Sequence, residues 1–481
     1  MLLAAMAVVS ASSGSPASAQ SDSHYFPETG HTVEGRFLQY WQQHGGLAQQ
    51  GYPISNELQE RSDTDGKVYT VQYFERAVFE LHPENQPPND VLLSLLGSFS
   101  YKQKYPNGAP GQQVSTDNPL TFPKTGKTIG GKFRAYWESH SGLAQQGYPI
   151  SNEFHETSTD SVTRTVQYFE RAVFELHPEN AGTPYEVLLT QLGTLRYHAP
   201  LPAEDLNSID MVSPTEGWVV GNKGVILHYN GGRWQQLSSP VQGGYLTGVS
   251  MVSPDDGWAV GQARVAQDGV ILHYSGGAWH IYQPPSYIYL PRLASIDMVS
   301  ADEGWAVGGG LGSIILHYEG SKWSYYDSPH HPLQSVSMVS ATEGWAVDIE
   351  DILHYDGSAW RRQDSPGGAN SVYMLSASEG WAVGDSDSIL HYSGGKWERI
   401  SVPSNGSRLV NVYMVSPSEG WAVGNSGTIL HYSGGAWSQY PSPTNKYLIA
   451  IKMVSTTEGW AVGEAGTILH YQNGTWSVYQ Q

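Results

Sequence analysis

The sequence predicts a mainly β chain: a seven-bladed β-propeller over residues 206–481, preceded by two small α+β repeat modules over residues 22–101 and 120–198. Three observations carry this expectation. A Glu-Gly-Trp or Asp-Gly-Trp element recurs about every forty residues, with its tryptophan at Trp218, Trp258, Trp305, Trp345, Trp381, Trp421 and Trp460. A second tryptophan closes each copy, at Trp234, Trp279, Trp323, Trp360, Trp397, Trp437 and Trp476. Upstream, two segments of closely similar sequence lie about 96 residues apart. A period of forty residues marks one supersecondary unit per copy, unable to bury its own apolar surface and stable only when stacked on its neighbours.

At the N-terminus, an apolar run from Leu2 to Val9 leads through small residues to Ala17-Ser18-Ala19, before Gln20. Residues 1–19 resemble a secretory signal with an Ala-Xaa-Ala cleavage site, although no basic residue precedes the apolar run. A disordered tail is the other reading. No other segment approaches eighteen apolar residues, so the mature chain is expected not to span a membrane. The absence of cysteine excludes disulfides, thiol catalysis and Cys-ligated zinc. The formal net charge of −20 divides as about −7 before residue 201 and −13 after it, which argues against nucleic acid or an anionic membrane as partner. These features together predict a secreted or cell-envelope-associated monomer.

The tandem pair is explicit in the letters. Phe26-Pro-Glu-Thr-Gly30 recurs as Phe122-Pro-Lys-Thr-Gly126, Gly46 to Glu57 recurs as Gly142 to Glu153, and Gln72 to Asn85 recurs as Gln167 to Asn180. Val33, Phe37, Tyr40, Trp41 and His44 fall near helical spacing on one face, and Gly45-Gly46 ends that helix. Val68 to Phe74 and Ala77 to His82 alternate as a β-hairpin turning at Glu75-Arg76. Glu75 and Arg76 are expected to cap the hairpin, and His82-Pro83 to end a strand. The Leu-Ala-Gln-Gln-Gly-Tyr-Pro-Ile-Ser-Asn-Glu stretch followed by Phe-Glu-Arg-Ala-Val-Phe is similar to LGFP repeats, with Gln50 and Gln146 in place of leucine and Arg76-Ala77 and Arg171-Ala172 in place of two glycines. That resemblance implies attachment to a cell-wall polymer. Residues 102–119 and 198–205 read as linkers, rich in Pro, Gly and Gln or Pro and Ala.

Within the sixth copy of the forty-residue repeat, Leu409 to Val415, Gly420 to Gly424, Thr428 to Tyr432 and Ala436 to Tyr440 read as four short strands separated by turn chemistry. Four strands per copy and seven copies predict seven blades. The His431 to Trp437 turn resembles the Asp-box of bacterial neuraminidase repeats, with glycine replacing its aspartate. The Gly420 to Gly424 strand is similar to that of photosystem II assembly-factor propellers. Propellers of these kinds include sialidases, assembly factors and binding platforms, so the resemblance leaves function open.

Residues present in every copy are expected to specify the blade. His228, His273, His317, His354, His391, His431 and His470 sit too far from the axis to share a metal ion, and are expected to pack and hydrogen-bond between blades. The copies differ in the turn between second and third strands (Gln262 to Asp268, Gly308 to Gly312, Asp348 to Asp351) and in the connections between blades (Gln283 to Ala294, Ser328 to Leu333, Ser401 to Leu409). Both kinds of connection lie on one face of a four-stranded antiparallel blade, which makes that face the one for display. It carries Asp348, Glu350, Asp351, Asp385, Asp387 and Glu464, either as calcium or cation-binding carboxylates or as solvated acids. Tyr287, Tyr289 and Arg292 either stack on a sugar or peptide or pack their loop.

The first strand of each blade lines the axis, where its third position runs Asp210, Ser250, Asp297, Ser337, Tyr373, Tyr413 and Lys452. Such a polar lining suits a small ligand or ordered water. A sialidase-type hydrolase would need clustered arginines, a tyrosine nucleophile and paired carboxylates, whereas Arg264, Arg292 and Arg408 fall on scattered loops. The expectation is a non-catalytic platform for a protein or carbohydrate ligand, with no cofactor beyond a possible calcium ion. A sialidase-like enzyme and a chaperone for assembly of a membrane complex are the alternatives.

Overall fold

The computed structural model describes residues 23–158, 162–264, 268–285, 290–310, 312–326, 331–402 and 406–480. The leader (residues 1–19), Tyr287 and Tyr289 lie outside them. Two compact units are present: one comprises Met1–Leu58 and Thr70–Thr194, the other Gln59–Tyr69 and Leu195–Gln481. Among the described helices none is long and apolar enough to cross a membrane.

The second unit contains seven four-stranded antiparallel sheets, each in simple sequential order. The first is Leu206–Ser213, Glu216–Gly221, Ile226–Asn230 and Arg233–Gln236, and the last is Leu448–Met453, Glu458–Gly463, Ile468–Gln472 and Thr475–Val478. In each sheet a methionine of the first strand lies opposite the glycine of the Glu-Gly-Trp or Asp-Gly-Trp element, as Met211 opposite Gly217 and Met414 opposite Gly420. A Cβ on any of those seven glycines would sit 2.1–2.3 Å from the methionine sulfur. The glycine is therefore set by space: the methionine side chain crosses where a larger residue would stand.

Strand alternation then sorts the next residues onto two faces. Trp218 and Val220 point toward the second sheet and pack with Leu246, Val249, Ala259, Leu272, Tyr274 and Trp279. Val219, Leu227, Tyr229 and Trp234 point the other way, where their partners are Ala450, Trp460, Val462 and Ile468 of the seventh sheet. Five further mixed cores join second to third, third to fourth, fourth to fifth, fifth to sixth and sixth to seventh sheets. The first strands pack on one another in the same order, and Leu206–Ser213 also packs on Leu448–Met453. Each sheet is thus covered on both faces by its neighbours, which is how a repeat too small to own a core becomes stable.

The seven histidines correct one expectation. They bond within their own sheet rather than between sheets, each Nε2 lying 2.5–3.4 Å from the Glu or Asp that precedes Gly-Trp. Each ring also stacks on its own sheet's tryptophan at 3.9–4.4 Å. Register explains this: Trp218 is directly opposite His228, and Glu216, two residues before the tryptophan, shares its face. The tyrosine after each histidine points to the opposite face and makes the contact between sheets. Tyr274 lies against Trp218 at 5.5 Å, and Tyr229 closes the series against Trp460 at 4.9 Å.

In the first unit each module opens with a two-stranded ribbon, a helix (Gly35–Gln43 or Gly131–Ser139) and a short helix (Gly46–Gln50 or Gly142–Gln145). A four-stranded sheet and a closing helix, Leu96–Lys104 or Leu192–Tyr197, follow. The hairpin caps act as expected: Glu75 Oε2 accepts from Tyr52 N at 3.1 Å and Arg76 Nη1 donates to Leu47 O at 3.1 Å, with Glu170 and Arg171 doing the same for Tyr148 and Leu143.

The two modules are joined reciprocally. Gln49 donates to Tyr136 Oη at 2.6 Å and Gln145 to Tyr40 Oη at 2.8 Å, while Gln50 donates to Gln145 and Gln146 to Gln49, both at 2.9 Å. Helix Leu96–Lys104 meets the second module's hairpin through Ser98 N to Glu170 O, and Thr194 N meets Glu75 O in the first, both at 3.0 Å. The close approach of Gly97 to Phe169 O and of Gly193 to Phe74 O leaves no room for a side chain at either glycine. Residues 102–119, expected as a linker, are held to the second module: Asn152 N donates to Gln112 Oε1 at 2.9 Å and Gln113 N to Glu153 O at 2.7 Å. The Gln-Gln of the repeated motif thus joins the two copies through buried amides, a role that needs both copies present.

Candidate functional site

The first strands pack on one another in order, which brings their unlike third-position residues together. In four sheets that residue takes a main-chain N–H from the next sheet: Asp210 Oδ2 from Met251 at 2.7 Å, Ser250 Oγ from Met298 at 3.0 Å, Asp297 Oδ2 from Met338 at 2.7 Å and Ser337 Oγ from Met374 at 3.0 Å. Tyr373, Tyr413 and Lys452 replace this short acceptor in the remaining three. Lys452 Nζ pairs with Asp210 Oδ1 at 2.9 Å and lies 5.0 Å from the centre of the Tyr413 ring, which is 4.7 Å from that of Tyr373. All five channel candidates, Asp210, Asp297, Tyr373, Tyr413 and Lys452, therefore belong to one electrostatically coupled cluster.

Enclosure governs how these groups titrate. Burial pushes the Asp297 carboxyl up to about 7; the Met338 N–H and Lys452 oppose the rise and Asp210 adds to it. For Lys452, burial works against the ammonium but is outweighed by Asp210 and the two phenols, so its pKa is raised. Burial, reinforced by Tyr413, raises that of Tyr373. Water nevertheless reaches the cluster, since the side chains of Lys452 and Asp210 keep 27% and 14% of their exposure.

The variable connections lie together on one face, as the strand count requires. Gly427, in the turn between second and third strands of the sixth sheet, approaches Thr444 O of the connection to the seventh so closely that a Cβ would lie 1.9 Å away. Gly224 and Val241 O repeat this in the first sheet, and Gly466 meets Pro202 O in the seventh. Around the sixth sheet these segments enclose a polar cleft of about 630 Å³ lined by Gly406, Ser407, Asn425 to Thr428, Gln439 to Ser442 and Thr444. Its side chains are hydroxyls and amides with Pro441 and one aromatic, Tyr440, half-buried edge-on to Trp421 and donating to Gly474 O at 2.7 Å.

The display-face acids have local duties. Asp348 is buried and its Oδ1 accepts from Glu350 N and Asp351 N, both at 2.7 Å, closing its own turn. Asp351 pairs with Arg362 at 2.8 Å and exposed Glu350 faces His331 at 3.3 Å. Asp387 is buried and accepts from Gly406 N and Ser407 N, whereas Asp385 pairs with Arg408 at 3.1 Å. Glu464 accepts from Tyr447 N at 3.3 Å, and Arg292 is exposed at the start of the third sheet. Among the described residues no group of three or more His, Asp or Glu side chains is placed to hold a metal ion. The cleft was not found from the sequence, because its turns have ordinary length; the distinctive 401–409 connection was the available signal.

No protein-family model matches the chain, and no curated protein matches it. Among solved structures it is similar to YCF48 bound to D1 peptide, at 17% identity over 56% of this chain and 93% of that one, with a TM-score of 0.47. YCF48 from Cyanidioschyzon merolae is similar at 16% identity over 57% and 98%, with a TM-score of 0.48. The WD40 β-propeller domain of Doa1 is similar at 9% identity over 56% and 94%, with a TM-score of 0.48.

Proposed function

We propose that residues 206–481 form a closed seven-bladed β-propeller that acts as a non-catalytic binding platform, taking an extended, uncharged segment of a partner protein in the cleft beside the sixth blade. One observation carries this reading: every residue common to the seven copies is used inside or between blades, while the copy-specific connections enclose a polar cleft of about 630 Å³. The lining favours a peptide over a sugar, since neutral hydroxyls and amides match main-chain groups and the Tyr440 hydroxyl is already given to Gly474 O. The two N-terminal modules complete the proposal as an attachment to the cell envelope of an exported chain, supported by the leader-like start and the LGFP-like motif; retention on purified cell wall tests that part.

Panning the full-length protein against a random linear peptide display library tests the platform. Enriched peptides are expected to lose binding at least tenfold with Gln439→Trp, which fills the cleft from an exposed strand end. Gln236→Trp, at the same position of the first blade, is expected to leave binding unchanged. No enrichment, or equal loss with both variants, would sink the reading.

A further inference from the structure

We propose, resting on the peptide-binding role of the cleft beside the sixth blade, that the bound segment ends there: its C-terminal carboxylate, on a chain otherwise uncharged, is received by the main-chain N–H groups of Ser426 and Gly427. These two residues belong to the turn between the second and third strands of the sixth blade, and both line the cleft. The turn is fixed from both ends, because Asn425 N donates to Arg408 O and Thr428 N to Asn425 O, each at 3.0 Å. Ser426 and Gly427 take left-handed φ values of 52° and 71°. Neither Ser426 N nor Gly427 N has a hydrogen-bond partner among the described residues. Gly427 is buried, where an N–H without an acceptor is costly. Two successive N–H groups in such a turn form a concavity suited to an anion.

The seventh blade shows the same turn with its acceptors in place. Ala465 and Gly466 stand where Ser426 and Gly427 do, at φ 54° and 70°. Ala465 N donates to Asp205 Oδ1 at 2.9 Å and Gly466 N to Glu204 O at 3.0 Å. Asp205 directly precedes the first strand of the next blade. For the sixth turn that position is Tyr447, directly before Leu448–Met453, and it carries no carboxylate. The connection ahead of it brings a positive charge instead: Lys446, two residues past the cleft-lining Thr444, is exposed and in no ion pair among the described residues. The neighbouring acids are already engaged, Asp385 by Arg408 at 3.1 Å, Asp387 by the N–H groups of Gly406 and Ser407, and Glu464 by Tyr447 N at 3.3 Å. A ligand carboxylate therefore supplies to the sixth turn what Asp205 supplies to the seventh, and the cleft of about 630 Å³ admits it. In a segment whose side chains are uncharged, the chain terminus is the one group that can do so.

Two pools of random N-acetylated peptides built from uncharged residues, identical except that one ends in a free carboxylate and the other in an amide, test this by affinity selection on the full-length protein with mass spectrometry. Binders are expected from the carboxylate pool, and the same sequences made as amides are expected to bind at least about tenfold more weakly. Tyr447→Asp puts a carboxylate where Asp205 has one, so it is expected to occupy Ser426 N–H from within and abolish binding of the free acids. Tyr447→Leu, which adds no acceptor, is expected to retain it, with tryptophan fluorescence confirming that each variant is folded. Equal affinity for acid and amide, with both abolished by Gln439→Trp, overturns the carboxylate site while the platform reading stands. Unchanged binding of the free acids by Tyr447→Asp overturns it as well. Recovery of binders from neither pool overturns both.

Discussion

Substituting the glycine of one Glu-Gly-Trp element tests why the repeat has its form. A Cβ at Gly420 would lie 2.2 Å from Met414 Sδ, 2.6 Å from its Cε and 3.1 Å from Tyr413 O. Favourable carbon contacts begin near ~3.5 Å, so the methionine must retreat by more than an ångström. It has nowhere empty to go: Met414 is 1% exposed and packed among Trp381, Val412, Ala422, Leu430 and Trp437. Gly420→Ala is therefore expected to cost roughly 1–3 kcal/mol as overpacking. Met414→Ala alone leaves a cavity and is expected to cost roughly 2–5 kcal/mol. Together the new methyl enters the vacated space, so the double variant should be less destabilised than the sum by about 1 kcal/mol or more. Urea unfolding followed by tryptophan fluorescence reads this directly, since fourteen of the sixteen tryptophans lie in residues 206–481. Strict additivity would refute the steric account. So would a gain of about 0.4–1 kcal/mol for Gly420→Ala, the outcome if unfolded-chain entropy were all that mattered.

Ring closure is tested at the seam. Trp460, packed against Tyr229 and Trp234 of the first sheet at 4.9 and 5.5 Å, is expected to lose roughly 3–5 kcal/mol on truncation to alanine. Trp258→Ala, at an internal seam, should cost a similar amount in the same urea assay. A cost for Trp460→Ala far below that for Trp258→Ala would mean that the first and last sheets do not hold each other. Asp297 sets a pH dependence. Its folded pKa of about 7 lies above the ordinary 3.8, so the folded chain binds the extra proton between those values and the stability it contributes is full below 3.8 and lost as pH rises through 7. The slope is on the order of −1.4 kcal/mol per pH unit at most, shared with any other group titrating there. Asp297→Asn should remove that slope and gain most over the native chain at pH 8. An unchanged difference between the two from pH 4 to pH 8 would show that Asp297 titrates normally.

Much of this was legible because repetition turns a packing rule into a pattern. Tryptophan spacing and strand-like runs located the sheets to within a residue or two, and the same comparison picked out the five channel residues as places where copies disagree. Side-chain direction was harder. The histidines were assigned to the seams although Glu216, Trp218 and His228 all share one face; counting two residues back from each tryptophan would have found the acidic partner. The methionine opposite each glycine carries no motif of its own and becomes visible only in the antiparallel register. Gln49, Gln50, Gln145 and Gln146 read as part of a family motif, whereas their buried amides join two copies about 96 residues apart. Asp348 and Asp387 read as display carboxylates because a sequence does not show that the turn of Asp348 and the connection at Gly406-Ser407 use them first.

The axis is where structure and repetition part company, and the cost of that departure is informative. Asp210, Ser250, Asp297 and Ser337 each tie one inner strand to the next by accepting a methionine N–H, a bond worth roughly 0.5–1.5 kcal/mol. A serine in the remaining three sheets would extend the series around the ring. Instead Tyr373, Tyr413 and Lys452 stand there, and among the described residues no such side-chain acceptor serves Met414, Met453 or Met211. The three substitutions are adjacent, so the forgone bonds fall on one sector of the axis. They replace it with two ring faces and a charge directed at Asp210. Packing alone does not call for this, because the four serine and aspartate seams hold equally buried cores without it. What distinguishes the sector is the pair it forms with the first sheet: Lys452 reaches Asp210 at 2.9 Å across the seam that would otherwise carry a bond to Met211 N, with the Tyr413 ring 5.0 Å from the ammonium.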